Sequence, residues 1–142
     1  MQASGDTASP LASGAMASGG GTVLVVDDEP SLRLLCRVNL ELEGFRVLEA
    51  GSLDEARAQL EREHVDVVVL DVHLGSGDGR DLLDELRAAE SATRVLMLTG
   101  SVEPTGGRFA AADRVVMKPF EPALLVAIVR ELVDGAHVDS TT

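Results

Sequence analysis

Asp66-Val67-Val68-Val69-Leu70-Asp71 is a run of four aliphatic residues closed at each end by a carboxylate. It reads as a strand apolar on both faces and flanked by turns, the pattern of a strand covered by helices on both sides. Further apolar, β-favouring runs lie around it. Thr22-Val23-Leu24-Val25-Val26 ends at Asp27-Asp28, Val95-Leu96-Met97-Leu98 ends at Thr99, and Val115-Val116-Met117 ends at Lys118. Helical patterns fall between the runs. Strands alternating with helices predict an α/β fold with a doubly wound, five-stranded parallel sheet. In such sheets ligands bind at the carboxyl ends of the strands, where Asp27, Asp28, Asp71, Thr99 and Lys118 would meet.

The first strand, about Thr22 to Val26, leads into a helix from about Pro30 to Glu43. Proline suits the first helical turn because its missing N–H would be unpaired there anyway. Gly44 is placed to cap that helix in the left-handed conformation. Phe45 to Glu49 alternates as the second strand. Ser52-Leu53-Asp54-Glu55 is a capping box, and its helix carries Leu53, Ala56 and Leu60 on one face. After Asp71 comes a loop with Gly75, Gly77 and Gly79, then a helix grouping Leu82, Leu83 and Leu86. Arg94 to Leu98 and Arg114 to Met117 are the fourth and fifth strands. The last helix runs from about Glu121 to Val133, with Leu124, Leu125, Ile128 and Leu132 at helical spacing. Between Thr99 and Asp113, Pro104 and Gly106-Gly107 weaken a helix. Only Arg108 to Ala112 has helical character, so a short or irregular fourth helix is expected there.

Composition narrows the function. Residues 1–21 are mostly Ala, Ser and Gly with Asp6 as the only charged side chain, which predicts a flexible tail. The segment lacks a basic start and a continuous apolar core, so it is not a signal peptide. No apolar run approaches the roughly 20 residues that span a bilayer, so no membrane insertion is expected. The formal charge is −12, from 24 acidic and 12 basic residues. Direct nucleic-acid binding calls for the opposite sign. Cys36 is the single cysteine. That excludes an intramolecular disulfide and fits a reducing, cytoplasmic location.

Each polar element has a bland reading when taken alone. Asp27 and Asp28 also suit a helix cap, Asp71 a turn, Thr99-Gly100 a strand end, and Lys118 a surface position. Their combination carries a specific chemistry. Adjacent carboxylates repel unless a cation bridges them, and Mg²⁺ takes oxygen ligands. A carboxylate can attack a phosphoryl group and form an aspartyl phosphate. Such transfer needs mainly positioning and charge neutralisation. Around Asp71, a divalent ion, the Lys118 ammonium and the Thr99 hydroxyl complete a minimal set. Pro119 disfavours helix at Lys118, and Phe120 is placed to anchor the segment in the core.

The motifs Val26-Asp27-Asp28-Glu29-Pro30, Asp71 to Gly79, Leu98-Thr99-Gly100 and Met117-Lys118-Pro119-Phe120 resemble the receiver domain of two-component response regulators. The resemblance covers about Gly21 to Val133, giving a receiver domain at 22–134 and a C-terminal tail at 135–142. It implies the flavodoxin-like strand order 2-1-3-4-5. It also implies that Asp71 is the phosphoacceptor. Mg²⁺ would be held directly by Asp28, Asp71 and the backbone carbonyl of His73, with Asp27 acting largely through water. Thr99 and Lys118 would contact the phosphoryl group. The implied donor is a phosphohistidine on a sensor histidine kinase or phosphotransfer protein. Output would run through a downstream protein partner, from a monomer or weak dimer, and the aspartyl phosphate would slowly hydrolyse.

Several positions depart from the family pattern. Val115 stands where an aromatic residue is usual, the 99–118 segment is short, and Gly75 replaces a common proline. His73 and Ser101 occupy positions that tune phosphoryl lifetime in the family. The leading expectation is a phosphorylatable receiver without its own output module, or else the receiver end of a hybrid kinase. A pseudo-receiver that binds partners without phosphorylation is the alternative. A haloacid-dehalogenase-like phosphatase would want a second aspartate at position 73, where His stands. A dinucleotide site would want Gly-x-Gly-x-x-Gly after the first strand, which is absent.

Overall fold

In the computed structural model the described residues are 20–75, 77–100 and 111–138, with side chains described through residue 135. The elements run β1 (Thr22–Val26), α1 (Pro30–Leu42), β2 (Arg46–Ala50), α2 (Leu53–Arg62), β3 (Val67–Asp71), β4 (His73–Leu74), β5 (Gly77–Asp78), α3 (Gly79–Ala88), β6 (Arg94–Thr99), β7 (Arg114–Met117) and α4 (Pro122–Val138). Five strands form one sheet in the order β2-β1-β3-β6-β7, every neighbouring pair parallel. Counting only these five along the chain, the order is the expected 2-1-3-4-5. The antiparallel pair β4–β5 is a separate two-stranded ribbon within the glycine-containing loop. Gly75 supplies a left-handed residue there, with φ 58°.

The double winding follows from period-two alternation on strands that are apolar throughout. Val23 and Val25, Val67 and Val69, and Leu96 and Leu98 face one core with Cys36 and Leu40 of α1 and Leu125, Ile128 and Val129 of α4. Leu24 and Val26, Val68 and Leu70, and Val95 and Met97 face the other core with Ala56 of α2 and Leu82 and Leu83 of α3. Each such aliphatic side chain contributes about 1.5–3 kcal/mol when fully buried.

Local signals act where the sequence places them. α1 ends in a Schellman motif: the Gly44 N–H bonds to the Glu41 carbonyl and the Phe45 N–H to the Leu40 carbonyl. Gly44 has φ 94°. Phe45 then packs in the same cluster as Leu40. Ser52 caps α2 by accepting from the Glu55 N–H. The returning Glu55 carboxylate takes the N–H of Gly51, one residue earlier than a regular capping box.

Some boundaries differ from expectation. β3 and β6 include Asp71 and Thr99, because each is still paired in the ladder, with Leu98 and Met117 respectively. Gly21, assigned to the tail on composition, accepts a hydrogen bond from the Arg46 N–H. α4 continues to Val138, past residue 134. Its inward face is Leu125, Ile128, Val129 and Val133, whereas Leu124 points outward. The expected fourth helix falls largely at 101–110 and the tail at 1–19, both outside the described residues.

Cys36 is buried, and burial first, then the nearby Asp27 charge, pushes its thiol up to about 12. We predict that iodoacetamide leaves Cys36 unmodified in native protein at pH 8 and alkylates it rapidly in urea, as read by intact mass. A thiol raised above its ordinary value of 9.0 adds stability below that pH. The contribution declines above pH 9 and is lost as pH rises through about 12.

Candidate phosphoacceptor site

Four strand ends bring the site together. Asp27 follows β1, Asp71 ends β3, Thr99 ends β6 and Lys118 follows β7. The ladder extends into this edge: the Val72 N–H bonds to the Leu98 carbonyl at 3.0 Å and the Lys118 N–H to the Thr99 carbonyl at 2.8 Å. Lys118 is thereby tied to β6 immediately before the Lys118-Pro119 peptide bond, which is cis. Phe120 is partly buried against the α1–α4 core and anchors the turn.

Asp27, Asp71 and Thr99 are the buried polar side chains among the described residues. The Lys118 ammonium lies 3.2 Å from Asp71 Oδ1 and 3.4 Å from Asp27 Oδ2. Asp28 is exposed, yet one carboxylate oxygen from each of Asp27, Asp28 and Asp71 lies within 4.8 Å of the others. Three carboxylates against one ammonium leave a local excess of negative charge. Burial first, then the Asp27 charge, raises the Asp71 carboxyl above its usual range. The Lys118 ammonium and the backbone N–H of His73 offset part of this. For Lys118, burial acts downward, but Asp71 and Asp27 together outweigh it and hold the ammonium above its usual value.

The expected residues Asp27, Asp28 and Asp71 lie together, Lys118 pairs with Asp27 and Asp71, and Thr99 is buried on the neighbouring strand end. The His73 imidazole is exposed, while its main chain faces Asp71. Ser101 lies outside the described residues. Oxygen-only donors with excess negative charge fit a hard divalent cation such as Mg²⁺.

Gly79 opens α3 directly under the site. A Cβ there would lie 2.2 Å from the Asp71 carbonyl oxygen, so a side chain cannot enter without moving β3 or α3. Its N–H bonds to the Val72 carbonyl at 2.7 Å. Asp78 caps α3 by accepting from the Arg80 N–H at 2.9 Å and also pairs with the Arg80 guanidinium. Two further residues were not singled out by sequence. Arg33 Nη1 donates to the Asp27 carbonyl at 2.6 Å, and its Nε donates to Glu49 Oε1 at 3.2 Å. The available signal was Glu49 alternating with Val47 on β2, which turns it toward α1.

Comparison with known proteins identifies the family. The family model for the response regulator receiver domain matches residues 23–130. This chain is a response-regulator receiver domain. It is similar to the probable transcriptional regulatory protein TcrX of Mycobacterium tuberculosis, 41% identical over 114 residues, covering 78% of this chain and 49% of that protein. It is also similar to the alkaline phosphatase synthesis transcriptional regulatory protein PhoP of Bacillus subtilis, 37% identical over 119 residues, covering 82% and 50%. The receiver thus spans about half the length of these relatives. A CheY-like receiver domain protein from Methanospirillum hungatei superposes with TM-score 0.78 at 27% identity, covering 84% of this chain and 98% of that one. The response regulator TrrA from Thermotoga maritima, solved in complex with Mg²⁺ and BeF, gives TM-score 0.73 at 29% identity, covering 79% and 98%. Receivers of this family are phosphorylation switches in two-component signalling rather than typical enzymes. No helix among the described residues is long and apolar enough to cross a membrane.

Two outcomes follow from the packing and charge of the site. Gly79→Ala forces a shift at the β3 end and lowers stability by about 1–3 kcal/mol, measurable by urea denaturation. Asp71→Asn removes a carboxylate whose charged form the fold disfavours. A raised carboxyl contributes stability below its ordinary pKa and loses that contribution as pH rises through the folded value. At neutral pH in EDTA, Asp71→Asn therefore melts at higher temperature than wild type, whereas added Mg²⁺ raises the wild-type Tm.

Proposed function

We propose that this receiver accepts a phosphoryl group on Asp71 from the phosphohistidine of a sensor histidine kinase or phosphotransfer protein and signals by protein contact. The observation that carries the reading is the Asp71 carboxylate, buried at a strand end with the Lys118 ammonium 3.2 Å away and two further carboxylates beside it. In the transfer, an Asp71 carboxylate oxygen forms the new O–P bond as the N–P bond of phosphohistidine breaks. The imidazole leaves and takes up a proton. Lys118 draws the incoming phosphoryl oxygens toward Asp71 and balances charge that would otherwise accumulate next to Asp27. Thr99, fixed at the end of β6, donates its hydroxyl to a phosphoryl oxygen.

Asp28, Asp71 and the His73 carbonyl would hold a divalent cation, with Asp27 acting through water, and the ion would supply charge neutralisation for the transfer. Hydrolysis of the aspartyl phosphate resets the switch, and exposed His73 is placed to influence water access. A groove of about 350 Å³ lined by Glu29, Leu32, Leu35, Lys118, Pro119 and Phe120 shares Lys118 with the site. Its apolar lining suits the approach of a partner protein to the reacting centre. The buried free thiol fits a reducing, cytoplasmic location.

The chain contains neither Trp nor Tyr, so intact mass is the practical readout. Incubation with Mg²⁺ and acetyl phosphate adds one phosphoryl mass to wild type and none to Asp71→Asn. No gain under saturating donor would instead favour a receiver that acts by binding alone. Lys118→Ala still takes some label, but its phosphorylation-induced change in amide hydrogen exchange is small. An exchange response equal to wild type refutes the role given to Lys118.

A further inference from the structure

We infer that Arg33 is a positioning residue that aims Asp28 at the phosphoacceptor site by gripping the main chain of Asp27. The inference rests on reading Asp27, Asp28 and Asp71 as a cation site. Asp28 is the exposed member of that group. Among the described residues no protein hydrogen bond or ion pair holds its carboxylate. Its aim therefore depends on its backbone.

That backbone is bracketed on both sides. The Asp27 carbonyl accepts from Arg33 Nη1 at 2.6 Å, and Asp27 Oδ1 accepts from the Glu29 N–H at 2.9 Å. Peptide groups are planar. Holding the Asp27 carbonyl fixes the plane of the Asp27–Asp28 peptide, and holding the Glu29 N–H fixes the next one. The Asp28 Cα sits between two oriented planes. Asp27 itself is held at its N–H by the Ala50 carbonyl at 3.1 Å and at Oδ2 by Lys118 at 3.4 Å. The Arg33 contact is the shortest of the four.

Arg33 is in turn held rigid. Its Nε donates to Glu49 Oε1 at 3.2 Å, and Glu49 Oε2 accepts from Arg37 Nη1 at 2.8 Å. Position 51 is a glycine, and a Cβ there would lie 3.1 Å from Arg33 Nη1, so a bulkier residue would crowd the guanidinium. The chain Arg37–Glu49–Arg33–Asp27 thus runs from the outer surface of α1 to the metal-binding loop.

Charge and positioning predict opposite signs, which makes the inference testable. A guanidinium near a cation site repels the cation, so by charge alone Arg33→Ala tightens Mg²⁺ binding. Positioning predicts weaker binding, roughly tenfold for groups that orient metal ligands. The experiment is calorimetric titration of the full chain with MgCl₂ for wild type, Arg33→Ala, Glu49→Gln and the double variant, with Arg57→Ala as a distant control. We expect Arg33→Ala to bind about tenfold more weakly, Glu49→Gln to show a smaller loss, and the double variant to be no worse than Arg33→Ala alone. Arg57→Ala binds as wild type. Unchanged or tighter Mg²⁺ binding by Arg33→Ala overturns the inference. Should Arg33→Ala fail to fold by circular dichroism, wild-type affinity in Glu49→Gln overturns it equally. If wild type itself does not bind Mg²⁺, the cation reading falls and this inference falls with it. If wild type binds and the variants match it, only the role of Arg33 is lost.

Discussion

Asp27 and Asp71 are both almost wholly withdrawn from solvent and share one ammonium, that of Lys118. Burying two carboxylates against a single cation is unfavourable unless further positive charge arrives. The carboxyl edge of the sheet is built to hold that imbalance. Parallel ladders fix β1, β3, β6 and β7 side by side, and the bond from the Lys118 N–H to Thr99 keeps the ammonium over the two acids. The arrangement has little freedom to relax by moving apart. A divalent ion or a phosphoryl group then meets a preorganised field rather than a floppy cluster.

The opposite edge of the same sheet shows how this protein treats charge when no ligand is awaited. Asp113 accepts from the Val95 N–H at 2.7 Å and pairs with Arg87 at 2.7 Å and Arg94 at 3.4 Å. Arg87 also donates to the carbonyls of Ala111 and Thr93. One carboxylate there is satisfied by two guanidinium groups and a main-chain donor. At the carboxyl edge three carboxylates have the Lys118 ammonium, while the Arg33 guanidinium bonds to the Asp27 main chain rather than to a site carboxylate. The contrast, within one sheet, separates a balanced charge network from one with negative charge to spare.

Apolar side chains are also exposed on β7 and α1. Val115 and Met117 flank the buried Val116 on β7 and are each nearly half exposed. β7 is an edge strand, so these apolar side chains stand at the border of the sheet rather than inside it. α1 likewise presents Leu34, Leu35, Val38 and Leu42 outward. Exposed apolar groups in these two places are consistent with the proposed signalling by protein contact.

The sequence by itself determined the sheet and its double winding. Four-residue aliphatic runs admit few alternatives to a strand covered on both faces, and Gly44 and Ser52 mark helix ends through effects confined to a few residues. It also marked Asp27, Asp28, Asp71, Thr99 and Lys118, because each polar group directly follows an apolar run. Only the tertiary structure decided what depends on distant neighbours. Asp71 is raised in pKa because the packed sheet buries it and, second, because β1 brings Asp27 beside it. Gly79 must be small because α3 starts against the Asp71 carbonyl. Leu124 faces out while Val129 faces in because of how α4 lies on α1 and the sheet. Arg33 reaches Asp27 because α1 folds back over the end of β1 and meets Glu49 on β2. Local signals depend on adjacent residues and can be read along the chain, whereas contacts between segments depend on packing that no single stretch encodes.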